Sequence, residues 1–540
     1  MIALIFIILL SVGLRCIGIV KPEGLWNDEY VSWQIASTSF DEGFVKAMLA
    51  QCHMPFYYLY LKMCMFFCGD GDIFLRITSL IPGVLAVIVM YFVGLQYNKK
   101  TAVYSALITA ISSFLIYYSQ EVRLYSLLFL FSALALLYML RYLKNKSMTN
   151  LLGLLLFDFL IMFTHTIGFV FVFFELLVLS ILIFKEAKKQ VLSFWGISVV
   201  LFIIVAPNIY HILSGKTFSQ WWGVFSPSKI GFLFTDYFSP VLTNLVNAPD
   251  KFLYNSSIGF LFFALCPALI ALMFIVKAIY KNKQNFALFV IVVAVIIVMA
   301  AASVMGKLVF ITKYSIEIYP ILIFLAAIGA ASYKTRYLGS TLMTMFCIIN
   351  FWYLLFSPVS APKKSRPEGH KIVADLIKKA EPHKGDVILL QYYGADRFKK
   401  YFDFSDYKVV TVNKGNFHKY MTANNSYEEI LKDGKTIYKP VFQNQNLDYF
   451  EYMIQKEVLN DIKVGQSVIV IVCDSVAFYN NQVMSKIAAD DYIYGKIPLM
   501  FLIFSYVSNR SLMYLEKNLN ISRLENSGAW SLVKFTKTKN

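Results

Sequence analysis

Charge is scarce in this sequence. Only 15% of its 540 residues are Asp, Glu, Lys or Arg, while 58% are hydrophobic and 17% aromatic. So little charge on so long an apolar chain excludes a disordered protein and an ordinary soluble enzyme, and marks a polytopic membrane protein. A disulfide framework is also missing. Seven cysteines is an odd number, and Cys16, Cys64, Cys266 and Cys347 fall in apolar runs where a thiol packs as a small hydrophobe. Cys64 and Cys68 stand one helical turn apart without a second Cys/His pair nearby, which removes zinc. No symmetry relates two halves of the apolar region, as internal repeats would. The first apolar segment, 2–20, has neither a basic stretch before it nor a small-x-small cleavage site before Lys21. It reads as a retained span rather than a signal peptide.

What is present in abundance is long apolar runs: about 2–20, 74–97, 102–119, 123–143, 150–164, 167–184, 191–212, 255–280, 285–305, 314–333 and 338–358. That makes eleven candidate spans. The breaks between them alternate in charge. Five carry Lys99/Lys100, Arg141/Lys144/Lys146, Lys185/Lys188/Lys189, Lys277/Lys281/Lys283 and Lys334/Arg336, thirteen bases against the single acid Glu186. Basic loops stay on the cytoplasmic side, so the N-terminus is expected inside, with 21–73, 213–254, the breaks near 120, 165 and 310, and everything after 358 outside. The net charge of +17 is then a topology signal that needs no nucleic acid. Within the first outer loop, 21–73, the stretch Pro55 to Phe67 is apolar but too short to cross a core that takes about 20 residues, and is expected to lie along the interface as a helix.

The chain is thus expected to have a membrane domain over 1–358 and, beyond a Pro/Ser/Lys linker, an outer soluble domain over 359–540. In the latter, β-rich runs (Asp386 to Gln391, Lys408 to Val412, Ser467 to Cys473) alternate with amphipathic stretches (Glu368 to Ala380, Asp448 to Asp461, Val476 to Ala489). Such alternation predicts an α/β domain with a mainly parallel sheet, and Ile497 to Tyr506 reads as a further buried strand. The tail has no Gly-rich phosphate loop and no Ser/His/Asp pattern, so binding or support is its expected role.

The residues suited to chemistry gather on the outer side. Leu25-Trp26-Asn27-Asp28-Glu29-Tyr30-Val31-Ser32-Trp33 sets two adjacent carboxylates between tryptophans, side chains that favour the membrane–water boundary. Tyr118-Ser119-Gln120-Glu121-Val122-Arg123-Leu124-Tyr125 puts an acid and a base in a very short hairpin. Thr164-His165-Thr166 and Lys307 with Lys313-Tyr314, followed by Glu317, complete the set. Charged groups at membrane depth cost about 2.5–3.5 kcal/mol each on insertion scales, and persist where they pair or line a cavity. Taken singly, Glu121–Arg123 reads as a local ion pair, His165 as a helix cap and Lys313 as a partner of Glu317 one turn on. Asp158 and Glu175 lie deeper, within spans, where packing hydrogen bonds account for them.

In this order, these segments resemble the bacterial branch of the GT-C membrane glycosyltransferases, the superfamily of the protein O-mannosyltransferases and the lipid A aminoarabinose transferase. The resemblance covers roughly residues 10–335. Its most specific parts are the Asp28-Glu29 pair after the first span and the hairpin at 118–125. The family's His-Pro-Pro-Leu stands here as His53-Met54-Pro55-Phe56, and its Arg-Tyr as Lys313-Tyr314, which keeps the charge but not the bidentate fork of Arg. The resemblance implies a GT-C-like fold of about eleven transmembrane helices in a bacterial cytoplasmic membrane. It also implies an inverting, mannosyltransferase-like transfer of a sugar from a polyprenyl-phosphate carrier to a lipid, glycan or protein acceptor outside. In that reading Asp28 is the base, and Glu29 or Glu121 orients the acceptor or a metal. Arg123 and Lys313, with Arg15 or Lys307, meet the phosphate, and His53, His165 and Tyr314 line the substrate site. A divalent cation, if used, would be magnesium or manganese on Asp28 and Glu121, which are oxygen donors. Two other functions fit many spans with buried charge: a lipid-linked glycan flippase, and a polysaccharide ligase or polymerase with a pyrophosphate-linked donor.

Overall fold

The computed structural model describes residues 2–50 apart from 42, 54–214, 227–240, 258–305, 310–356 apart from 334 and 336, 369–391, 395–412, 427–432, 435–440, 454–473, 514–527 apart from 517, and 530–538. The chain forms two compact units, Met1–Val20 with Val31–Lys364, and Lys21–Tyr30 with Ser365–Asn540.

The first unit is helical. Among the described residues, six helices are long and apolar enough to cross a membrane, and Ile2–Cys16, Met148–Thr164 and Leu265–Ile279 are shorter apolar helices. Every expected span meets a helix, but not all are simple rods. The runs 167–184 and 191–212 are two helices within Gly168–Ser214, parted by a kink at Ala187 (φ −140°, ψ 40°) among the lysines expected to break them. The run 102–119 is divided into Lys99–Ile111 and Ser113–Tyr118 by Ser112, whose extended backbone ends one helix while its hydroxyl accepts the Leu115 N–H of the next. The run from 314 starts as a 3-10 helix, Thr312–Ile318, and becomes α-helical at Tyr319–Ala331, with Pro320 in the first turn where its missing N–H costs nothing.

Every residue from Tyr319 to Ala330 is buried, which puts this helix at the centre of the unit. A side chain at Gly329 would meet the Phe274 carbonyl oxygen at 1.8 Å, so the missing Cβ lets Ile258–Ile279 approach the central helix backbone to backbone, as small residues do in membrane bundles. Outer helix faces are apolar: Ile5, Phe6 and Leu9 on the first helix and Ile203 and Ile204 on the long one are exposed, the surface that lipid covers. The interfacial stretch forms the helix Pro55–Cys68, stopped at Gly69 (φ 79°), and ends in exposed Phe66 and Phe67.

The second unit carries a five-stranded sheet in the order Lys408–Val412, Val387–Gln391, Ser467–Cys473, Trp530–Thr536, Asn520–Ser527. The three expected strands are present and mutually parallel, but the last two add antiparallel, so the sheet is mixed rather than mainly parallel. The edge strand Asn520–Ser527 escaped the sequence reading because it is mostly polar, with Ile521 and Leu524 exposed. Alternate residues face opposite ways. Ile388, Leu390, Ile469 and Ile471 pack with Val373, Leu376 and Ile377 of the helix His370–Lys379. Val387, Leu389, Val468 and Val470 pack with Ile454, Val458 and Leu459. Only part of the expected helix 448–461 is described, and the expected helix 476–489 and strand 497–506 lie outside the described residues.

The segment Lys21–Tyr30 is built into this unit. Two orphan N–H groups opening the helix His370–Lys379 are satisfied by it, His370 donating to Leu25 O (3.0 Å) and Lys371 to Glu23 O (3.2 Å). Leu25 N–H donates to the Tyr401 hydroxyl and the Tyr30 hydroxyl to Asp396 O. Gly24, at φ 75°, allows the approach: a Cβ there would lie 2.6 Å from Lys371 Cβ. His370 is fully buried between the rings of Tyr30 (4.6 Å) and Phe398 (5.3 Å). Burial, and secondly the Arg397 charge, push it from 6.5 to about 3 against an opposing hydrogen bond to the Arg397 backbone.

A histidine held neutral when folded makes stability fall with acid. Between pH 6.5 and about 3 the unfolded chain takes up a proton that the folded one refuses, a loss of roughly 1.4 kcal/mol per pH unit. Proteolysis of the tail in the purified full-length protein is therefore expected to speed up from pH 7.5 to 4.5, and His370→Phe to flatten the trend. An equally steep trend in the variant would assign the pH dependence elsewhere.

Candidate active site

The hairpin at 119–124 is held from below by Arg15. Its guanidinium is fully buried. Nε donates to Ser119 Oγ (3.2 Å), Nη1 to Ser11 Oγ (2.7 Å) and Ala110 O (3.0 Å), and Nη2 to Thr109 O (3.2 Å). The two carbonyls are in the last turn of Lys99–Ile111, where the break at Ser112 removes their intrahelical partners. Arg15 thus satisfies a helix end inside the membrane domain. The Gln120 side-chain amide answers by donating to Arg15 O and Ile17 O. Gly83 makes room for the clasp, since a Cβ there would stand 2.2 Å from Ser119 Oγ. Arg15 was expected at the phosphate; with about four of its five donors on protein oxygens, it is a structural residue.

Above the clasp, side chains from four stretches of the chain form one array. The Arg123 guanidinium donates to Ser32 Oγ (3.3 Å) and lies 6.0 Å from the centre of the Tyr125 ring. Lys313 Nζ is 5.6 Å from the same ring and 5.6 Å from that of Tyr314. The Tyr314 ring is 5.8 Å from that of His165, whose Nδ1 lies 2.7 Å from Glu317 Oε1. Two cations therefore approach one tyrosine ring, attracted by its electrons. Glu121 is buried in the same hairpin, its carbonyl accepting the Arg123 N–H at 2.7 Å.

Glu317 pairs with His165 and not, as its spacing suggested, with Lys313. The reason is the local helix type. Residues four apart share a face of an α-helix, but Thr312–Ile318 is a 3-10 stretch with a non-helical residue, Ser315 (φ −115°, ψ 22°), between the two, which turns Glu317 away from Lys313. The 3-10 turn is braced by Ser228–Phe238. The Tyr237 hydroxyl donates to Ser315 O (2.7 Å), Asp236 accepts from the Thr312 hydroxyl (2.7 Å), and the Tyr237 ring stacks on Tyr319 at 4.2 Å. The sequence reading missed Asp236 and Tyr237, since nothing in their stretch separates them from ordinary loop residues.

Asp28 and Glu29 open the helix Asn27–Ser37. Glu29, which is buried, accepts the Trp26 N–H at 3.3 Å. It sits at the third helical position and its carboxylate caps the helix start, the glutamate half of a capping box. Asp28 is partly exposed. His53 and Lys307 lie outside the described residues. Asp158 and Glu175 are buried within Met148–Thr164 and Gly168–Ser214, apart from the array. Among the described residues no three His, Cys, Asp or Glu side chains are grouped to hold a metal ion.

Residues 51–211 match the family model of dolichyl-phosphate-mannose-protein mannosyltransferases. Among solved structures, the chain is similar to ArnT from Cupriavidus metallidurans in the apo state, at 10% identity and a TM-score of 0.56, over 98% of this chain and 97% of that one. It is also similar to that protein bound to undecaprenyl phosphate, at 11% identity and a TM-score of 0.53, over 99% and 97% of the two chains. An oligosaccharyltransferase from Archaeoglobus fulgidus, in complex with Zn and sulfate, matches at 12% identity and a TM-score of 0.45, over 99% and 88%. No curated protein is similar to it in sequence. The chain has the fold of the GT-C membrane glycosyltransferases, as its hairpin and Asp-Glu motifs implied.

The clasp predicts a structural phenotype. Arg15→Leu should cost about 3–5 kcal/mol, the usual loss when one partner of a buried charge network is removed, and should lower the thermal unfolding midpoint in detergent. An unchanged midpoint with lost activity would instead return Arg15 to the substrate site.

Proposed function

We propose that the protein is an inverting glycosyltransferase that moves a sugar from a polyprenyl-phosphate carrier to an acceptor on the outer side of a bacterial cytoplasmic membrane, with its N-terminus inside and its tail domain outside. The observation that carries this reading is the Arg123–Tyr125–Lys313 array, a cationic place for a phosphate in a domain made mainly of apolar helices. The family model matched by residues 51–211 is named for a lipid-phosphate sugar donor, and the similar ArnT structure holds undecaprenyl phosphate. The orientation rests on the alternation of basic breaks.

The chemistry follows from charge. The acceptor oxygen attacks the anomeric carbon from the face opposite the phosphate, its proton passes to a carboxylate, and the bond from the anomeric carbon to the phosphate oxygen breaks with its electron pair staying on that oxygen. Asp28 is the base in this scheme by its place in the motif, and it is the more exposed of the two acids. The phosphate changes from a singly charged diester to a monoester carrying up to two charges. Cations fixed beforehand beside it therefore gain most as the bond breaks. Arg123 brings a planar guanidinium to the site and Lys313 a single ammonium. No separate acid is needed for so good a leaving group. Mannose is the first sugar to test, and the tail is assigned to acceptor binding or support.

Asp28→Asn removes the proton acceptor with almost no change of shape. Transfer should fall by about 10²–10⁴-fold, the usual range for a general base, with expression and donor binding retained. Full activity would sink the assignment of the base. Arg123→Gln should instead weaken donor binding by about 1.5–3 kcal/mol, read as a raised donor KM, and an unchanged donor KM would remove Arg123 from the phosphate site.

A further inference from the structure

We propose that Glu317 is a positioning residue that holds His165 as a third cationic donor to the phosphate released from the lipid carrier. The proposal rests on the reading of the array as a polyprenyl-phosphate site and adds the division of labour at its far end.

Glu317 is fully buried, and its contact at 2.7 Å is with His165 Nδ1. A carboxylate without access to water is retained where a positive group compensates it, and the group in contact is the imidazole. A second feature acts in the same direction. His165 follows the last turn of Met148–Thr164 and caps it in an extended conformation, its N–H still bonded to Ile161 O. The negative end of that helix favours a cation. With Nδ1 committed to Glu317, the ring orientation is fixed, and Nε2 is the nitrogen left to serve a substrate. The pair keeps 13% of the histidine side chain accessible and none of the glutamate, so the open edge belongs to the ring, 5.8 Å from Tyr314 and next in line to Lys313.

The reaction needs such a donor late. When the bond between the anomeric carbon and the phosphate oxygen breaks, the electron pair stays on the phosphate, and the acceptor's proton has gone to Asp28. A charge-assisted Nε2–H then meets a phosphate with more charge than the donor had, so the contact stabilises the transition state more than the ground state. Because Glu317 balances the imidazolium, the pair adds a donor without adding net charge to the interior.

Glu317→Gln keeps an acceptor for Nδ1 and removes the charge. With a polyprenyl-phosphate sugar as donor, kcat should fall about tenfold while the acceptor KM is unchanged, and inhibition by free polyprenyl monophosphate should weaken about tenfold. His165→Asn should give the same pattern, and the double variant should be no worse than either single one, since one residue acts through the other. Glu317→Asp should recover part of the loss. Should Glu317→Gln fail to fold, His165→Asn carries the same readouts from the more exposed side of the pair. Unchanged product inhibition, or losses that multiply in the double variant, would overturn the proposal alone. A wild-type protein that neither turns over a polyprenyl-phosphate sugar nor binds the free lipid phosphate would overturn the reading of the site and this proposal with it.

Discussion

The interaction on which the membrane domain depends is the set of hydrogen bonds made by one buried guanidinium. In a medium without water, a break in a helix leaves carbonyls that nothing else can satisfy. The break at Ser112 is needed to let the chain turn into the short helix Ser113–Tyr118 and the hairpin after it, and Arg15 satisfies the carbonyls this exposes at Thr109 and Ala110. The same side chain holds Ser119. Hairpin position and helix integrity are thus set by a single residue, and the placement of Arg123 and Tyr125 follows from both. Irregular backbone at this depth is tolerated because it is enclosed and fully bonded.

The array shows a second use of irregular helix. A regular α-helix through Lys313 and Glu317 would place opposite charges on one face, where they would neutralise each other. The 3-10 turn separates them, directs Glu317 to His165 and leaves Lys313 beside Tyr125 and Tyr314. Tyr237 and Asp236 hold that turn from the outside. Aromatic rings beside the cations do two things at once: they attract positive charge, and they exclude water that would screen it.

Much of this was legible in the sequence, and the parts that were not share a cause. The spans were readable because long apolar runs have few alternatives, and the parallel strands 387–391, 408–412 and 467–473 because their β-rich apolar runs are short and bounded. The hairpin stood out because an acid and a base two residues apart serve no purpose in a plain turn. What stayed hidden depends on partners distant in sequence. Arg15 looked like a phosphate ligand until its acceptors at 109, 110 and 119 were in place. The pairing of Glu317 with His165 crosses 152 positions. Asp28 and Glu29 could not be ranked by adjacency, and the capping contact of Glu29 to Trp26 is visible only in the fold. The antiparallel edge of the tail sheet was missed because an exposed edge strand carries little hydrophobic signal.

The central claim is that the donor's phosphate is held by Arg123 and Lys313, the two cations that approach the Tyr125 ring. The most direct measurement is a cryo-electron microscopy map of the purified protein in lipid nanodiscs with excess undecaprenyl phosphate. The account predicts phosphate density in contact with both cations, with the Arg15 clasp undisturbed. Phosphate density at Arg15, or anywhere out of reach of both Arg123 and Lys313, would contradict it.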